Sequence, residues 1–318
     1  MQIKTAIVTG GCGFIGSHLV DRLVSMNIET TVIDNLSATS NERFYYNDFA
    51  KYHNIDICDH DSLEPIFERN IDIVFHLAAE SRIGPTIINP SKAVKTNILG
   101  TQNILELSKK YNIKKIIYSS TSAYYGLKNT PPLSEDMERD CLNPYTLTKI
   151  AGEDLCVLYN NFYELPTISL RYFNVYGDRS PTSGPYAPVL GLFIDAFNNK
   201  KPMTIVGDGS QSRDFIHVND VVEANIFAAI TENKKTFGQT FNVGSGKNYS
   251  IISIAKMIGG DYNFIDPRAG EAKDTLSNNE KIYNLLGWKP SKDIIDYIKE
   301  KINVNWIRKK NRRNLIRS

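Results

Sequence analysis

Short apolar runs alternate with amphipathic stretches along the first half of the chain. Runs such as "TAIVT", "TTVID" and "IDIVFHLAA" have the length and the branched side chains of buried strands. After the first run, Ile15, Leu19 and Leu23 recur at helical spacing. Strands and helices that alternate in this way predict an α/β protein with a doubly wound parallel sheet. Such a sheet binds its ligands at the carboxyl ends of the strands.

The pattern changes after "ISLRYFNVYG", about halfway along the chain. Loops rich in Gly and Pro follow, such as "DRSPTSGPYAP" and "IVGDGSQSRDFIHVNDV". A chain of 318 residues is long enough for two lobes that each bury a core. We therefore expect a smaller second lobe in addition to the parallel sheet.

The charge balance excludes one broad class of partner. The net charge is +2 and 23% of the residues are charged, so the chain has no general positive field for nucleic acid. The basic excess gathers in the closing "RKKNRRNLIRS". We interpret this run as a solvated end of the chain. The alternative is that it anchors the protein to a surface, but no amphipathic apolar segment accompanies it.

Cysteine spacing and hydropathy bear on metal sites and location. Cys12, Cys58, Cys141 and Cys156 lie far apart, without a Cys-x-x-Cys pair or a His at ligand spacing. We therefore expect neither a metal site nor disulfides, and reduced thiols fit a cytoplasmic protein. No apolar stretch approaches the ~20 residues that a membrane span needs, so we expect no membrane association.

A glycine-rich turn separates the first predicted strand from the first predicted helix. Gly10, Gly13 and Gly16 form Gly-x-x-Gly-x-x-Gly. Glycine lets the backbone approach a pyrophosphate, which the helix N-terminus attracts. Asp34 ends the next strand, where a carboxylate binds ribose hydroxyls and repels a 2′-phosphate, so the pattern favours NAD over NADP. The alternative is a turn that serves packing alone.

The stretch "YSSTSAYYG", residues 118–126, follows the apolar pair Ile116 and Ile117. Its hydroxyl groups are equally compatible with a simple turn, because Ser and Thr satisfy backbone groups locally. In a doubly wound sheet, however, this stretch lies at a strand end, where such a sheet places its chemistry.

The stretch "NPYTLTKIAGEDL" predicts a helix start. Asn143 suits the cap and Pro144 the first helical position, so Tyr145 and Lys149 fall on one face. Lowering a tyrosine pKa from ~10 to about 7 requires roughly 4 kcal/mol, which an ammonium about 4 Å away can supply at an effective dielectric of about 20. The Tyr-x-x-x-Lys spacing alone also recurs by chance.

The glycine turn, Asp34, the hydroxyl strand and the Tyr-x-x-x-Lys pair occur in an order that resembles the extended short-chain dehydrogenase/reductase family, over essentially the whole chain. The resemblance implies a catalytic triad of Thr121, Tyr145 and Lys149. Tyr145 is then the acid and base, Lys149 its electrostatic support and a ribose ligand, and Thr121 the anchor of the substrate hydroxyl.

Two positions distinguish between reactions of this family. In its nucleotide-sugar 4,6-dehydratases the hydroxyl residue is followed by Asp-Glu, which remove water. Ser122 and Ala123 stand there in this chain. Neither exchanges a proton at neutral pH, so hydroxyl oxidation followed by hydride return remains, which is epimerisation. "HLAAES", at 76–81, still looks somewhat dehydratase-like.

The predicted sheet and the resemblance together give an expected site and domain division. A Rossmann-type NAD-binding domain covers 1–172 with returning segments near 215–243, and 173–214 with 244–318 form a smaller α/β substrate-binding lobe. The expected NAD contacts are Gly10, Gly13, Phe14, Ile15, Gly16, Asp34, Asn35, Ser37, Asp56, Ile57, Leu77, Ala78, Ala79, Ser81, Asn97, Tyr145, Lys149, Tyr172 and Phe173. The expected substrate contacts are Thr121, Asn174, Arg213, Arg268, Glu271 and Thr275.

The resemblance implies a UDP-hexose substrate and 4-epimerisation through a 4-keto sugar. Thr275 aligns with a large tyrosine of some UDP-galactose 4-epimerases, so its small side chain is expected to admit an N-acetyl group, alone or beside the glucose/galactose pair. Dehydration, UDP-uronate epimerisation and keto-sugar reduction remain alternatives, as does a non-catalytic NAD-binding protein. A homodimer built from the helix near 97–109 and the helix that starts at Pro144 is also implied.

Overall fold

The computed structural model describes residues 2–38, 43–182, 187–267 and 273–302. Arg268, Glu271 and the basic run at 308–318 lie outside these residues. The strands are β1 (Thr5–Thr9), β2 (Glu29–Ile33), β3 (Lys51–His53), β4 (Ile73–His76), β5 (Lys115–Thr121), β6 (Thr167–Tyr172), β7 (Asn174–Tyr176), β8 (Met203–Val206), β9 (Ser212–His217), β10 (Gln239–Val243), β11 (Asn248–Ser250) and β12 (Tyr262–Ile265).

The helices connect these strands. They are α1 (Phe14–Ser25), α2 (His60–Phe67), α3 (Ile83–Ile88), α4 (Pro90–Val94), α5 (Gly100–Lys110), α6 (Pro144–Tyr163), α7 (Val189–Asn198), α8 (Val218–Ile230), α9 (Ile251–Ile258), α10 (Glu280–Leu286) and α11 (294–302). A π-helical turn at Lys95–Leu99 joins α4 to α5, and 3₁₀ turns lie at Ser122–Tyr125 and Lys234–Thr236. Within the described ranges, no helix has the length and apolar character needed to cross a membrane.

Seven strands form one sheet in the order β10, β6, β5, β4, β1, β2, β3, and every neighbouring pair is parallel. The predicted doubly wound α/β fold is confirmed. The carboxyl ends of all seven strands therefore meet at one edge, where the loops that follow β1, β2, β4, β5 and β6 come together.

Alternation along the strands divides the interior into two cores. Ala6 and Val8 of β1 pack on one side of the sheet with α1 and α8, and Ile7 packs on the other side with α2, α5 and α6. In β5, Ile117 and Tyr118 divide in the same way. Because both faces are covered by helices, the strands carry continuous apolar runs, as the sequence shows.

The smaller part of the chain has its own sheets and its own core. Strands β11, β9 and β7 form one small sheet, and β12 pairs in parallel with β8. The core beneath them contains Phe193, Ile205, Ile254 and Ile298. Between these elements the chain returns to the large sheet, where β10 pairs with β6.

Helix α6 starts as the sequence predicts. The Asn143 side chain accepts a hydrogen bond from the Thr146 backbone N–H (2.9 Å), and Pro144 takes the first helical position. Gly152 lets the helix approach β5 closely, because a Cβ there would lie 2.1 Å from the Tyr118 hydroxyl oxygen.

A buried ion pair also ties α6 to the sheet. Arg171 of β6 donates from Nε and Nη2 to the two carboxylate oxygens of Glu153 at 2.9 and 2.8 Å, and both side chains are at most 5% exposed. The Ser120 hydroxyl donates to the same carboxylate, and Arg171 Nη1 donates to the Tyr125 hydroxyl at 3.1 Å. The carboxylate thus joins the helix to two neighbouring strands.

We expect Glu153→Gln to lower the free energy of unfolding by about 3–5 kcal/mol, because it leaves the Arg171 charge buried without its partner. Urea unfolding of the purified protein measures the change. The matched control is Asp154→Asn, which removes the adjacent and exposed ion pair with Arg139 (58% and 66% exposed side chains) and is expected to cost less than about 1 kcal/mol. Equal losses in the two variants would contradict the assignment.

Candidate active site

A cavity of about 590 Å³ lies at the carboxyl edge of the large sheet and extends to the smaller part of the chain. Most of the predicted site residues share this cavity, although they come from separate loops and strand ends. Those that line it are Gly10, Gly13, Phe14, Ile15, Gly16, Asp34, Asn35, Ser37, Ile57, Leu77, Ala78, Ala79, Ser81, Thr121, Tyr145, Lys149, Tyr172, Phe173, Asn174, Arg213 and Thr275.

Two predicted contacts do not reach the cavity wall. Asp56 accepts hydrogen bonds from the Asn35 side chain (3.1 Å) and the Cys58 backbone N–H (2.9 Å), so it braces the loop behind the wall. Asn97, in the π-helical turn, is 1% exposed and bonds both backbone groups of Glu80 and the Thr148 hydroxyl. Its amide therefore fastens the loop after β4 to α6.

The glycine turn has the geometry that a pyrophosphate needs. Gly13 caps α1 without a side-chain hydrogen bond, and the first turn of the helix carries no acidic residue. The N–H groups at this helix end therefore face the cavity with their partial positive charge. A Cβ on Gly16 would lie 2.2 Å from the Gly10 carbonyl oxygen, so only glycine lets the helix pack this closely on the turn. These features fit a dinucleotide.

Asp34 stands at the end of β2, on the wall of the same cavity. Its two carboxylate oxygens accept hydrogen bonds from the backbone N–H groups of Cys12 (3.0 Å) and Leu36 (2.9 Å). Burial raises the pKa of Asp34, and these two bonds counteract the rise. The carboxylate is thus held in one orientation on the cavity wall, where an acidic side chain suits ribose hydroxyls.

Thr121 and Tyr145 both line the cavity, and the Thr121 side chain is near enough to act on the pKa of the Tyr145 phenol. Thr121 ends β5 and its hydroxyl accepts a bond from the Ala123 backbone N–H (3.1 Å), while Tyr145 lies in the first turn of α6. Burial raises the pKa of Tyr145, whereas the neighbouring Thr121 hydroxyl and the positive charge of Arg82 act to lower it. The phenol therefore remains protonated at neutral pH in this state.

Lys149 lies one helical turn further along α6, with Nζ 4.2 Å from the centre of the Tyr118 ring. Burial lowers its pKa from 10.5 to about 7, although neighbouring Cys156 and Glu153 act in the opposite direction. Near neutral pH the amine therefore lies close to its own titration point. It is 3% exposed, so this charge state is set by the protein interior.

Sequence reasoning missed Arg82, which lines the cavity beside Tyr145. The sequence feature that could have indicated this residue is the single arginine in "AAESRIG", the stretch that follows β4. It also missed the Glu153–Arg171 pair, whose members are 18 residues apart in the chain.

The substrate end of the cavity brings together three predicted residues. Asn174 donates to the Thr275 hydroxyl at 3.5 Å, and that hydroxyl also accepts from the Asp214 backbone N–H at 3.1 Å. Arg213 lies alongside and donates to the carbonyl oxygen of Lys273 at 2.9 Å.

Comparison with known proteins gives the family. The sequence model of the NAD dependent epimerase/dehydratase family matches residues 6–244. A Methanocaldococcus jannaschii protein, named provisionally as a UDP-glucose 4-epimerase, is 38% identical, with 96% of this chain and 99% of the relative covered. This chain is an NAD-dependent epimerase/dehydratase family member.

Solved structures of the family agree in fold. The Thermotoga maritima UDP-glucose 4-epimerase, crystallised with UDP-glucose, matches with a TM-score of 0.88 at 32% identity, over 96% of this chain and 99% of that chain. A Methanobrevibacter ruminantium UDP-N-acetylglucosamine 4-epimerase, in complex with UDP-N-acetylmuramic acid, has a TM-score of 0.88 at 34% identity, over 95% and 98%. The predicted family, fold and NAD dependence are confirmed.

Because the Lys149 amine is buried, we expect the stability of the protein to depend on pH. The folded state binds the Lys149 proton less tightly than the unfolded chain, so the unfolded state holds more protons between about pH 7 and 10.5. This group therefore makes stability rise with pH across that window, by at most about 1.4 kcal/mol per pH unit. Below about pH 7 the amine is protonated in both the folded and the unfolded state, so the destabilisation caused by burying its charge is fully present.

We expect Lys149→Met to stabilise the NAD-free protein by a few kcal/mol at pH 6.5, and by clearly less at pH 9.5, since the buried charge is then already lost. Urea unfolding at the two pH values measures the effect. Lys256→Met, at an exposed position on α9, is the control and should show no such pH dependence. A gain in the Lys149 variant that is constant with pH would contradict this titration.

Proposed function

We propose that this protein is an NAD-dependent 4-epimerase of UDP-hexoses that acts through a transient 4-keto sugar. The observation that carries the proposal is that Thr121, Tyr145 and Lys149 line the same cavity as the glycine turn. In this proposal Tyr145 is the acid–base group and Thr121 the hydroxyl anchor, next to the turn that binds the nucleotide. The named UDP-sugar 4-epimerases among its relatives and structural neighbours support the same reaction.

The roles of the residues follow from their positions. Thr121 orients the 4-hydroxyl of the sugar. With the positive charges of Lys149 and bound NAD+ beside it, the Tyr145 phenol would ionise, take the proton of the 4-hydroxyl and later return it. The turn of Gly10, the N-terminus of α1, Asp34 and Lys149 hold the cofactor. Bound NAD supplies reversible hydride acceptance from C4. Returned to the other face of the 4-keto sugar, that hydride would complete the epimerisation with no net reduction.

The acidic residues around the cavity argue against dehydration. Ser122 and Ala123 stand where a dehydratase needs an acid and a base. Among the described residues that line the cavity, the carboxylic acids are Asp34, at the cofactor end, and Glu80. Glu80 pairs with Lys92 at 2.6 Å. Elimination of water therefore has no proton-exchanging pair in this part of the chain, whereas epimerisation needs none beyond Tyr145.

We propose that the N-acetylated pair, UDP-N-acetylglucosamine and UDP-N-acetylgalactosamine, is accepted. Thr275 is 6% exposed, lines the cavity and is anchored by two hydrogen bonds, so a small side chain is fixed at this wall. Threonine there leaves space beside the sugar that a tyrosine would fill.

The exposed faces near α6 support a homodimer, which we also propose. Leu99, Leu158 and Phe162 are 46%, 48% and 76% exposed on the helical segments that the resemblance assigns to the interface. Burial of such side chains against a second copy would remove apolar surface from water. Sedimentation velocity at micromolar concentration distinguishes a dimer from a monomer.

The reaction and the sugar are tested together by NMR. The purified protein is incubated with UDP-glucose, UDP-N-acetylglucosamine or UDP-glucuronate, without added cofactor. New anomeric signals from a C4 epimer are the expected result. Conversion that requires added NAD(P)H would indicate keto-sugar reduction instead, and absence of turnover with every nucleotide sugar would favour a non-catalytic NAD-binding protein.

Replacement of Tyr145 by Phe should slow turnover by on the order of a hundredfold or more, because a positioned acid–base group is lost. Initial rates by NMR or a coupled assay provide the measurement. Tyr163→Phe, at a 42% exposed position on the same helix, is the control and should retain the wild-type rate. Near-normal turnover of the Tyr145 variant would refute the assigned role.

Replacement of Thr275 by Tyr should reduce kcat/KM selectively for the N-acetylated sugars, by roughly tenfold or more, since the larger ring occupies the space of the acetamido group. Thr275→Ser keeps the small side chain and should preserve activity on both pairs. An equal loss of kcat/KM on acetylated and non-acetylated sugars would contradict the assignment of Thr275 to the wall beside the acetamido group.

A further inference from the structure

Two lysines of the described chain are buried, and their ammonium groups have different surroundings. Lys115 is 1% exposed, and its Nζ donates to three backbone carbonyl oxygens at the C-terminus of α8, at 3.1, 3.0 and 2.6 Å. Lys149 is 3% exposed, yet among the residues that the structure describes none accepts a hydrogen bond from its ammonium and none forms an ion pair with it. A buried ammonium without such partners needs another source of compensation.

The Lys149 ammonium lies instead against the face of an aromatic ring. Its Nζ is 4.2 Å from the centre of the Tyr118 ring, well inside the ~6 Å over which a ring face attracts a cation. This attraction is electrostatic, and it is strongest where water is excluded. Tyr118 is fully buried, so the contact is of this stronger kind. The ring face therefore favours the protonated form of the amine.

The same tyrosine also holds the backbone of Lys149. Its hydroxyl donates to the Lys149 carbonyl oxygen at 3.2 Å. Gly152, on the next turn of α6, leaves room for this hydroxyl, because a Cβ there would lie 2.1 Å from the oxygen. Tyr118 belongs to β5, whereas the other two residues belong to α6. One strand residue thus contacts both the backbone and the ammonium of residue 149.

The titratable groups of α6 around Lys149 are Tyr145, Glu153 and Cys156. Glu153 and Cys156 favour the protonated amine. The Glu153 carboxylate is bound on both oxygens by Arg171, so its charge is shared with a second cation. Tyr145 lies one turn before Lys149, on the cavity wall. The carboxylate of this helix therefore does not replace the ring contact.

The titratable group that faces Lys149 from β4 is His76. Its ring packs beside that of Tyr118, with centres 5.7 Å apart. Its Nδ1 and Nε2 atoms lie at hydrogen-bond distance from the hydroxyls of Thr9 (2.7 Å) and Thr101 (2.9 Å), and burial lowers its pKa to about 3. The imidazole is therefore neutral near pH 7 and does not repel the ammonium.

We propose that Tyr118 is a positioning residue of the active site, whose ring face holds the Lys149 ammonium charged and in place beside Tyr145. This inference rests on the proposed function, in which the charge of Lys149 helps the Tyr145 phenol to ionise. Tyr118 does not line the cavity, whereas Lys149 does, so Tyr118 acts through Lys149 without contact with the substrate.

The test compares three side chains at position 118 in the NAD-loaded, full-length protein. Tyr118→Phe keeps the ring and removes the hydroxyl, whereas Tyr118→Leu removes the ring and keeps an apolar side chain. The protonation of Lys149 is followed against pH by NMR of lysines labelled with ¹³C at Cε. The Lys149 signal is identified by its absence from the spectrum of Lys149→Met. Values of kcat and KM are measured over the same pH range.

We expect Tyr118→Leu to move the titration of Lys149 to lower pH by roughly one unit, because the ring stabilises the charged amine and its loss does not affect the neutral one. The alkaline decline of kcat should move to lower pH by the same amount. The KM of the nucleotide sugar should change less than about twofold, since the substrate is not contacted. Tyr118→Phe should stay within about 0.3 unit of the wild-type titration, because its ring presents a similar face.

The matched control is Phe75→Leu, which removes a fully buried ring of β4 that packs in the core on the other side of the sheet. It should leave the Lys149 titration unchanged. If Tyr118→Leu does not fold, Tyr118→pentafluorophenylalanine provides a second comparison with Tyr118→Phe. Fluorination keeps the shape of the ring and reverses the charge of its face, so the titration should again move to lower pH.

Three results would overturn the inference. A Lys149 titration that is unchanged in Tyr118→Leu would leave the ring without a role. An equal shift in Tyr118→Phe would assign the effect to the hydroxyl bond with α6, and an equal shift in Phe75→Leu would assign it to general loosening of the sheet. Turnover of neutral nucleotide sugars by the wild-type protein tests the proposed function separately, because the NMR titration does not depend on turnover.

Discussion

The buried pair of Glu153 and Arg171 is the constraint on which the site depends. Tyr145 and Lys149 lie on α6, whereas Thr121 ends β5 and Tyr172 ends β6, so the shared cavity requires that the helix stay in register with the strands. A bidentate ion pair fixes both a distance and an orientation, which apolar packing alone does not. Because Ser120 shares the same carboxylate, the strand end that carries Thr121 is held by the same group.

Around this pair the protein buries two charged groups at an electrostatic cost. The Lys149 amine and the Arg82 guanidinium are both withdrawn from water beside the cavity, and burial lowers the pKa of each. Withdrawing such groups from water lowers the stability of the folded protein, and in the proposed function the ribose oxygens of the cofactor would replace part of the lost hydration at Lys149. The two well-packed cores of the large sheet supply the stability that this arrangement requires.

The features that the sequence predicted are those encoded locally. The glycine turn, the strand that leads into Asp34 and the Asn143–Pro144 helix start depend on a few consecutive residues, and the structure contains all three, with β2 ending at Ile33, one residue before the predicted end. The supports of the site could not be predicted in this way. Nothing in the sequence distinguishes Arg171 from other residues of a buried strand, because its role depends on the placement of β6 beside β5 and α6. In the same way, Asn97 is an ordinary polar residue of a predicted helix, and its role depends on contacts with Glu80 and Thr148. These contacts depend on tertiary geometry, which one sequence does not show.

The return of β10 to the large sheet has a consequence for biosynthesis. Strand β6 carries the Arg171 anchor and pairs with β10 on its outer edge, yet the whole segment from β7 to α8 is translated between them. At roughly 5–20 residues per second, the ribosome takes several seconds to cover that interval. During this time the outer edge of β6 presents unpaired backbone groups, which are a template for pairing with other chains. Vectorial synthesis thus completes this lateral edge of the sheet late, after the strands that carry Asp34 and Thr121 have been made.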